Sequence, residues 1–288
     1  MIAPATARRV WETLEPLHAS VYFAPEPAEA FAKLGLKGFW MGYVASRAAP
    51  MGPVGPAVVE ATFAGFHPSL IRRALPDAWS LAPPEEIIET RLEAASRALI
   101  RLLDGPPSCG EVEVVGDLLL DALERADPVG RPIFAAHLAL DRPEDPTGRV
   151  WHAATVFREH RGDGHVAALT AEGVNGCASH VLAVGRGVTD RSTQQGARRW
   201  SDEEWAVAVE GLHGRGLVNE DGSLTVHGHD LVVHIEAVTD RRSAEALEPL
   251  GDGADALLSA AVPMARRALA NGAVPFPNPM GYAQPAWV

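Results

Sequence analysis

Apolar positions recur at helical spacing through most of the chain. Between residues 8 and 24, Val10, Leu14, Leu17, Val21 and Phe23 form one stripe, which predicts an amphipathic helix. Ala24-Pro25-Glu26-Pro27 breaks it. Pro27 then falls in the first turn of a helix over 28–34, and Gly35 fits its C-cap. The aromatic and apolar run Gly38 to Ser46 reads as core. A turn-rich connector, Arg47 to Pro56, leads to two helical pieces broken at His67-Pro68. A long helix is predicted over 80–103, with Pro83, Pro84, Glu85 and Glu86 at its favoured end. Glu111 to Val115 alternates and predicts a short strand, followed by a helix over 117–125. The last helix spans 253–271, and the proline-rich tail from Val274 is expected to pack along the body or hang free.

The pattern then returns. Ala61-Thr62 aligns with Ala154-Thr155, and on that register His67 falls on His160. Ala78-Trp79-Ser80 before Glu85-Glu86 resembles Arg199-Trp200-Ser201 before Glu203-Glu204. The run from Glu111 to Leu118 resembles that from Leu224 to Leu231. A period this long predicts a duplicated domain rather than a solenoid. The expected organisation is a first repeat over 1–130, a second over 131–250, and a C-terminal helix and tail over 251–288.

The second copy carries its own signature. Trp200 to Leu212 predicts a helix, Arg215 to Val218 ends it, Asn219-Glu220-Asp221-Gly222 is a hairpin turn, and Ser223 onward leads into a helix to about Ala246. This run resembles the helix and wing of MarR-type winged-helix regulators. The stretches Ser46–Val54, Trp151–Leu169 and Trp200–Val218 also resemble an actinobacterial family of helix-turn-helix proteins. The resemblance implies a mainly α fold with small β-hairpin wings: two tandem winged-helix-like repeats forming a pseudo-two-fold body. It implies DNA binding and ligand response as well.

Charge argues against DNA. Twenty-five Lys and Arg face thirty-seven Asp and Glu, for a net charge of −12, whereas DNA affinity comes largely from cations neutralising phosphates. Asp202, Glu203 and Glu204 open the helix expected to read bases, and Glu220 and Asp221 tip the wing. The rest of the composition is that of an ordinary globular protein, with 47% hydrophobic residues. Without a membrane-length apolar run or a secretory leader, the expected place is the cytoplasm. Cys109 and Cys177 stand far apart and suggest neither a zinc site nor a disulfide.

Usable chemistry concentrates between Trp151 and Leu169. His152, Arg158, Glu159, His160, Arg161, Asp163 and His165 fall within fourteen positions. Gly162-Asp163-Gly164 is expected to make a tight turn. Asp163 would then cap a helix over 165–169, whose N-terminus offers an anion site. The first copy has no matching Asp or second His, which suggests one specialised site. The expected set is His160, His165 and Asp163 for catalysis. Arg47, Trp151, His152, Arg158, Glu159 and Arg161 would bind substrate. No metal motif matches, and no cofactor is specified. Structural use of the same residues remains open beside this reading. The sequence thus leaves two functions: a protein binding, and in one version transforming, a small anionic or aromatic molecule in a cleft between repeats, or a MarR-like regulator on DNA. It leaves monomer and homodimer open.

Overall fold

The structure, a computed structural model, describes residues 1–287. The N-terminal stripe folds as α1, Pro4–Phe23, burying Val10, Leu14, Leu17 and Val21. Helices α2 (Pro25–Lys33) and α3 (Gly38–Ala48) follow; Gly35 has φ 81°, open to glycine at no steric cost. Then come α4 (Pro56–Thr62), α5 (Pro68–Ala74), α6 (Asp77–Leu81) and α7 (Pro84–Leu102). Proline occupies the first turn of α1, α2, α4, α5 and α7, where its missing N–H costs nothing.

The expected strand at Glu111 to Val115 is helical. Helices α8 (Cys109–Glu111) and α9 (Leu119–Leu123) are joined by a π-helical stretch, Val112–Leu118. Its buried residues are Val112, Val115 and Gly116, a helical spacing that the alternation Glu-Val-Glu-Val hid. After α10 (Pro132–Leu138) comes the longest helix, α11, Pro146–Ala171. It is buried around its whole circumference, as a central helix must be, and packs on α1, α7, α10 and the π-helical stretch.

The chain closes with α12 (Gly176–Gly185), α13 (Arg191–Arg198), α14 (Asp202–Gly214), α15 (Val226–Leu247) and α16 (Gly253–Ala270). Residues 191–198 are helical, and Asp190 caps them through the Thr193 N–H at 2.8 Å. The β wings are absent. The described residues are 71% helix with no sheet, and the expected hairpin is a single antiparallel bridge, Val218 to Leu224. Leu217, Val218 and Leu224 are buried in the lobe core, and Thr225 already caps α15 through the Gly228 N–H. No residues are left to extend a ribbon. The expected β-hairpin wings are therefore replaced by an almost entirely helical fold, in which α13 and α14 are joined at Arg199 in a left-handed conformation, φ 69°.

Three apolar clusters organise the molecule. A central body joins α1, α7, α11, α15 and α16 to the tail at Tyr282. An N-terminal lobe gathers Phe31, Phe63, Phe66 and Ile71. A C-terminal lobe gathers Val181, Trp205, Leu212 and Val232. The lobes meet along one seam. The Gly65 carbonyl accepts from Trp200 Nε1 at 3.1 Å and lies 2.7 Å from His180 Nε2. His67 N–H donates to the Arg198 carbonyl, and its Nε2 lies 2.9 Å from Glu204.

Candidate functional site

Between the two lobes, with α1 and α11 as its floor, lies a cavity of about 760 Å³. The tail forms part of its rim. Asn278 ties the turn around Pro279 to Gly281, and Tyr282 anchors it by donating to the Glu12 carbonyl at 2.7 Å. The walls are aromatic, from Tyr22, Trp40, Tyr43 and Phe66. Five arginines line the cavity, beside the four acids Glu15, Glu60, Asp163 and Glu236.

The expected Gly162-Asp163-Gly164 turn does not form, because α11 runs straight through it. The glycines serve close approach instead. A Cβ on Gly164 would collide with the Arg131 guanidinium, which crosses here to donate to the His160 carbonyl at 2.7 Å. Gly162 lines the cavity. A continuous helix turns about 100° per residue, so the polar cluster divides between faces.

Arg158, Arg161 and His165 line the cavity. Glu159 is fully buried and holds Arg47 in a bidentate pair, at 2.9 and 2.8 Å. It also accepts from Arg158 at 2.9 Å. Burial alone would raise its carboxyl, but Arg158 and Arg47 outweigh that and hold it well below the usual range. Arg161 pairs with Glu236 at 3.2 Å and Asp240 at 3.0 Å, and lies over the Trp11 ring. His165 Nδ1 lies 3.1 Å from Thr239 Oγ1, and burial lowers its pKa.

The other face is committed to packing. Asp163 borders the cavity, but its Oδ2 accepts from the Ile133 and Phe134 N–H groups, both at 2.9 Å. It thereby caps α10, which has no cap of its own, rather than a helix at His165. Burial raises its pKa to about 6 against those two hydrogen bonds. His160 is buried edge-on to Phe134, its Nδ1 has no partner, and burial with Arg131 lowers its pKa to about 3. His152 is buried, brought down to about 4 by burial and Arg91. Trp151 donates to the His18 carbonyl at 3.2 Å. Trp151, His152 and His160 do not line the cavity.

Several cavity residues escaped the sequence reading. Tyr22 and Glu15 project from α1, and Tyr43 from α3. Glu15 is 3% exposed and accepts from Trp11 Nε1 at 2.8 Å; burial raises its pKa. The signal was present: Glu15, His18 and Tyr22 interrupt the buried stripe of α1 at helical spacing, and Tyr43 stands one turn before Arg47. Arg198 is the last residue of α13. Among the described residues no three His, Cys, Asp or Glu side chains group to hold a metal ion. No described helix is long and apolar enough to cross a membrane.

An almost entirely helical fold is the class that these features define. The chain belongs to the helix-turn-helix family, which it matches over residues 7–275. No curated protein and no solved structure matches it.

Proposed function

We propose that this protein binds a small aromatic molecule bearing an anionic oxygen, in the cavity between its lobes. The observation that carries the reading is the cavity lining. Arginines 47, 158 and 198 converge on a pocket walled by Tyr22, Trp40, Tyr43 and Phe66. Ligand sites are typically concave and apolar with a few convergent polar groups. At about 760 Å³ the space is of the usual size for a small ligand. Arg47, Arg158, Arg161 and His165 carry the polar side of the site together with Tyr43 and Arg198. Asp163 and His160 support it from behind.

A ligand-responsive DNA-binding regulator is the second reading, and family membership favours it. The surface of α14 opposes it. The exposed side chains of that helix are Asp202, Glu203, Ala206, Val207, Glu210 and His213. None is the Arg, Lys, Asn or Gln that reads base edges in the major groove, and the acids face phosphate.

Thermal unfolding with 2-naphthoate and 2-naphthol, beside native mass spectrometry of the purified protein, tests the first reading. A ligand at a hundredfold excess over its Kd adds about 2.7 kcal/mol to stability, an unmistakable rise in Tm. The expected result is stabilisation by at least one probe, lost in Arg198→Met. A bare mass and no stabilisation would overturn it. Retention of duplex DNA at low salt would move the assignment to the regulator.

A further inference from the structure

Around Tyr43 the buried charges do not balance. Four guanidiniums, of Arg47, Arg91, Arg158 and Arg198, stand against the carboxyls of Glu15 and Glu159. Glu159 takes up Arg47 and Arg158, and Glu15 lies 3.9 Å from Arg158. Arg91 is 3% exposed and lies over the Trp151 ring. Its Nη1 contacts the Ser46 carbonyl and His137, while Nε and Nη2 have no partner. Burial lowers the His137 pKa to about 3, so that ring is neutral and adds no charge. Arg198 lies over the Phe66 ring and donates to the Pro279 carbonyl, and its buried Nε has no partner. Among the described residues no carboxylate pairs with Arg91 or Arg198. A buried positive excess is costly until an anion joins it.

Arg47 and Arg198 are the strongest cationic neighbours of one hydroxyl, that of Tyr43. Tyr43 Oη lies 3.5 Å from Arg47 Nη1. Its ring is boxed by Tyr22 at 4.9 Å, Phe66 at 5.3 Å and Trp40 at 5.6 Å. The titratable and charged groups around it are Tyr22 and Glu15 from α1, Arg47 from its own helix, Arg91 from α7, Arg158 and Glu159 from α11, and Arg198 from α13. Burial opposes ionisation of the phenol, but Arg47, Arg198 and Arg158 outweigh it and bring it below the ordinary value. Tyr22 goes the other way: burial, then the neighbouring Tyr43, push it up to about 12. Two phenols in contact are thereby divided, the arrangement that separates a proton acceptor from a donor.

We infer that Tyr43 is the proton acceptor of the cavity, and that the ligand is a phenol or enol on a conjugated ring, taken up as its anion. This rests on the ligand-binding reading above. On binding, the ligand O–H bond breaks, its electron pair stays on the ligand oxygen, and the proton forms the O–H bond of Tyr43. The negative charge that Arg47 and Arg198 stabilise passes from tyrosinate to ligand, and no net charge enters the site. A carboxylic acid arrives already ionised. Its anion and the tyrosinate would then compete for the same guanidiniums.

Ultraviolet titration of the full chain tests this directly. There are three tyrosines, and both Tyr22 and Tyr282 are pushed above the ordinary value. The first tyrosinate band should therefore be that of Tyr43. It should be missing in Tyr43→Phe and move to higher pH in Arg198→Met. Next, 2-naphthol is added at the midpoint of the Tyr43 transition found in that titration. The naphtholate band should rise as the tyrosinate band falls, one for one. 2-Naphthol should bind at least about tenfold more tightly than 2-naphthoate, a difference of about 1.4 kcal/mol. If 2-naphthol binds in its neutral form, or Tyr43 titrates as an ordinary tyrosine, the inference fails and the ligand-binding reading stands. If neither probe binds, both fail.

Discussion

The two faces of α11 took opposite courses within about two turns, between Arg158 and Gly164. Toward α10, Asp163 gives its carboxylate to backbone N–H groups, Gly164 admits Arg131, and His160 is a neutral ring against Phe134. Toward the cavity, Arg158 and the Arg47–Glu159 pair form part of a charged set that its own partners leave positive. The same residue types thus serve packing on one side and present chemistry on the other. What separates them is completeness: a polar group whose partners are all supplied by the fold has nothing left to offer a ligand. His160 fits neither description, since its Nδ1 is unpartnered although the ring does not line the cavity.

The sharpest way to break this comparison is at Glu159, the acid that answers both Arg47 and Arg158. Removing one member of a buried ion pair leaves an uncompensated charge and costs about 3–5 kcal/mol. Glu159→Gln should fall in that range by denaturant unfolding, because it strands Arg47 and Arg158 together. Arg47→Met should cost less, since Arg158 still answers Glu159. If the two variants are equally mild, the pair is not the structural centre of the cavity. The carboxyl is held below its ordinary 4.5 in the fold. Its contribution is therefore present above that pH and lost as pH falls through the folded value, and Glu159→Gln should flatten the acid limb.

A smaller effect is expected at Asp163. Capping side chains are worth about 0.5–2 kcal/mol, and Asp163→Ala leaves the Ile133 and Phe134 N–H groups without their acceptor. A loss of about 2 kcal/mol is expected, with binding of 2-naphthol unchanged. Abolished binding in a stable variant would return Asp163 to the site. Because burial raises its pKa to about 6, the cap carries the opposite pH sign. The folded state holds this proton more tightly, so its contribution is larger in acid and weakens as pH rises through 6.

Long, regular helices were legible in the sequence because burial follows their period. The apolar stripe of α1, the prolines opening α2 and α7, and the Ser201–Glu204 capping box of α14 are local signals, and local physics honours them. The wing was not legible. Asn219 to Gly222 does turn the chain, but Leu217, Val218 and Leu224 pack inward, and tertiary burial outweighs hairpin preference. The Gly-Asp-Gly run misled for a related reason: glycine admits a turn or admits a neighbour, and only the position of Arg131 decides which. At the site, Arg47, Arg158, Arg161 and His165 were picked out from residue type, and the structure brings them to one cavity. Tyr22, Tyr43 and Arg198 were missed because what marks them is convergence from three distant helices.

The smallest effect, and the one that divides the two faces most cleanly, concerns His160. A buried polar atom without a partner contributes nothing by being polar, and an apolar replacement of similar shape is neutral or stabilising. His160→Leu should lie within about 1 kcal/mol of the parent at neutral pH and should bind 2-naphthol normally. In acid it should be the more stable of the two. The parent ring has a pKa of about 3 in the fold against 6.5 for a free histidine. As pH falls below 6.5 the unfolded chain gains a proton that the folded chain refuses, so stability is lost down to about 3. Leucine removes that loss. A Tm difference that opens in favour of the variant as pH drops, with binding intact, makes His160 a packing residue. A variant that folds well, shows no acid advantage and no longer binds makes it part of the site.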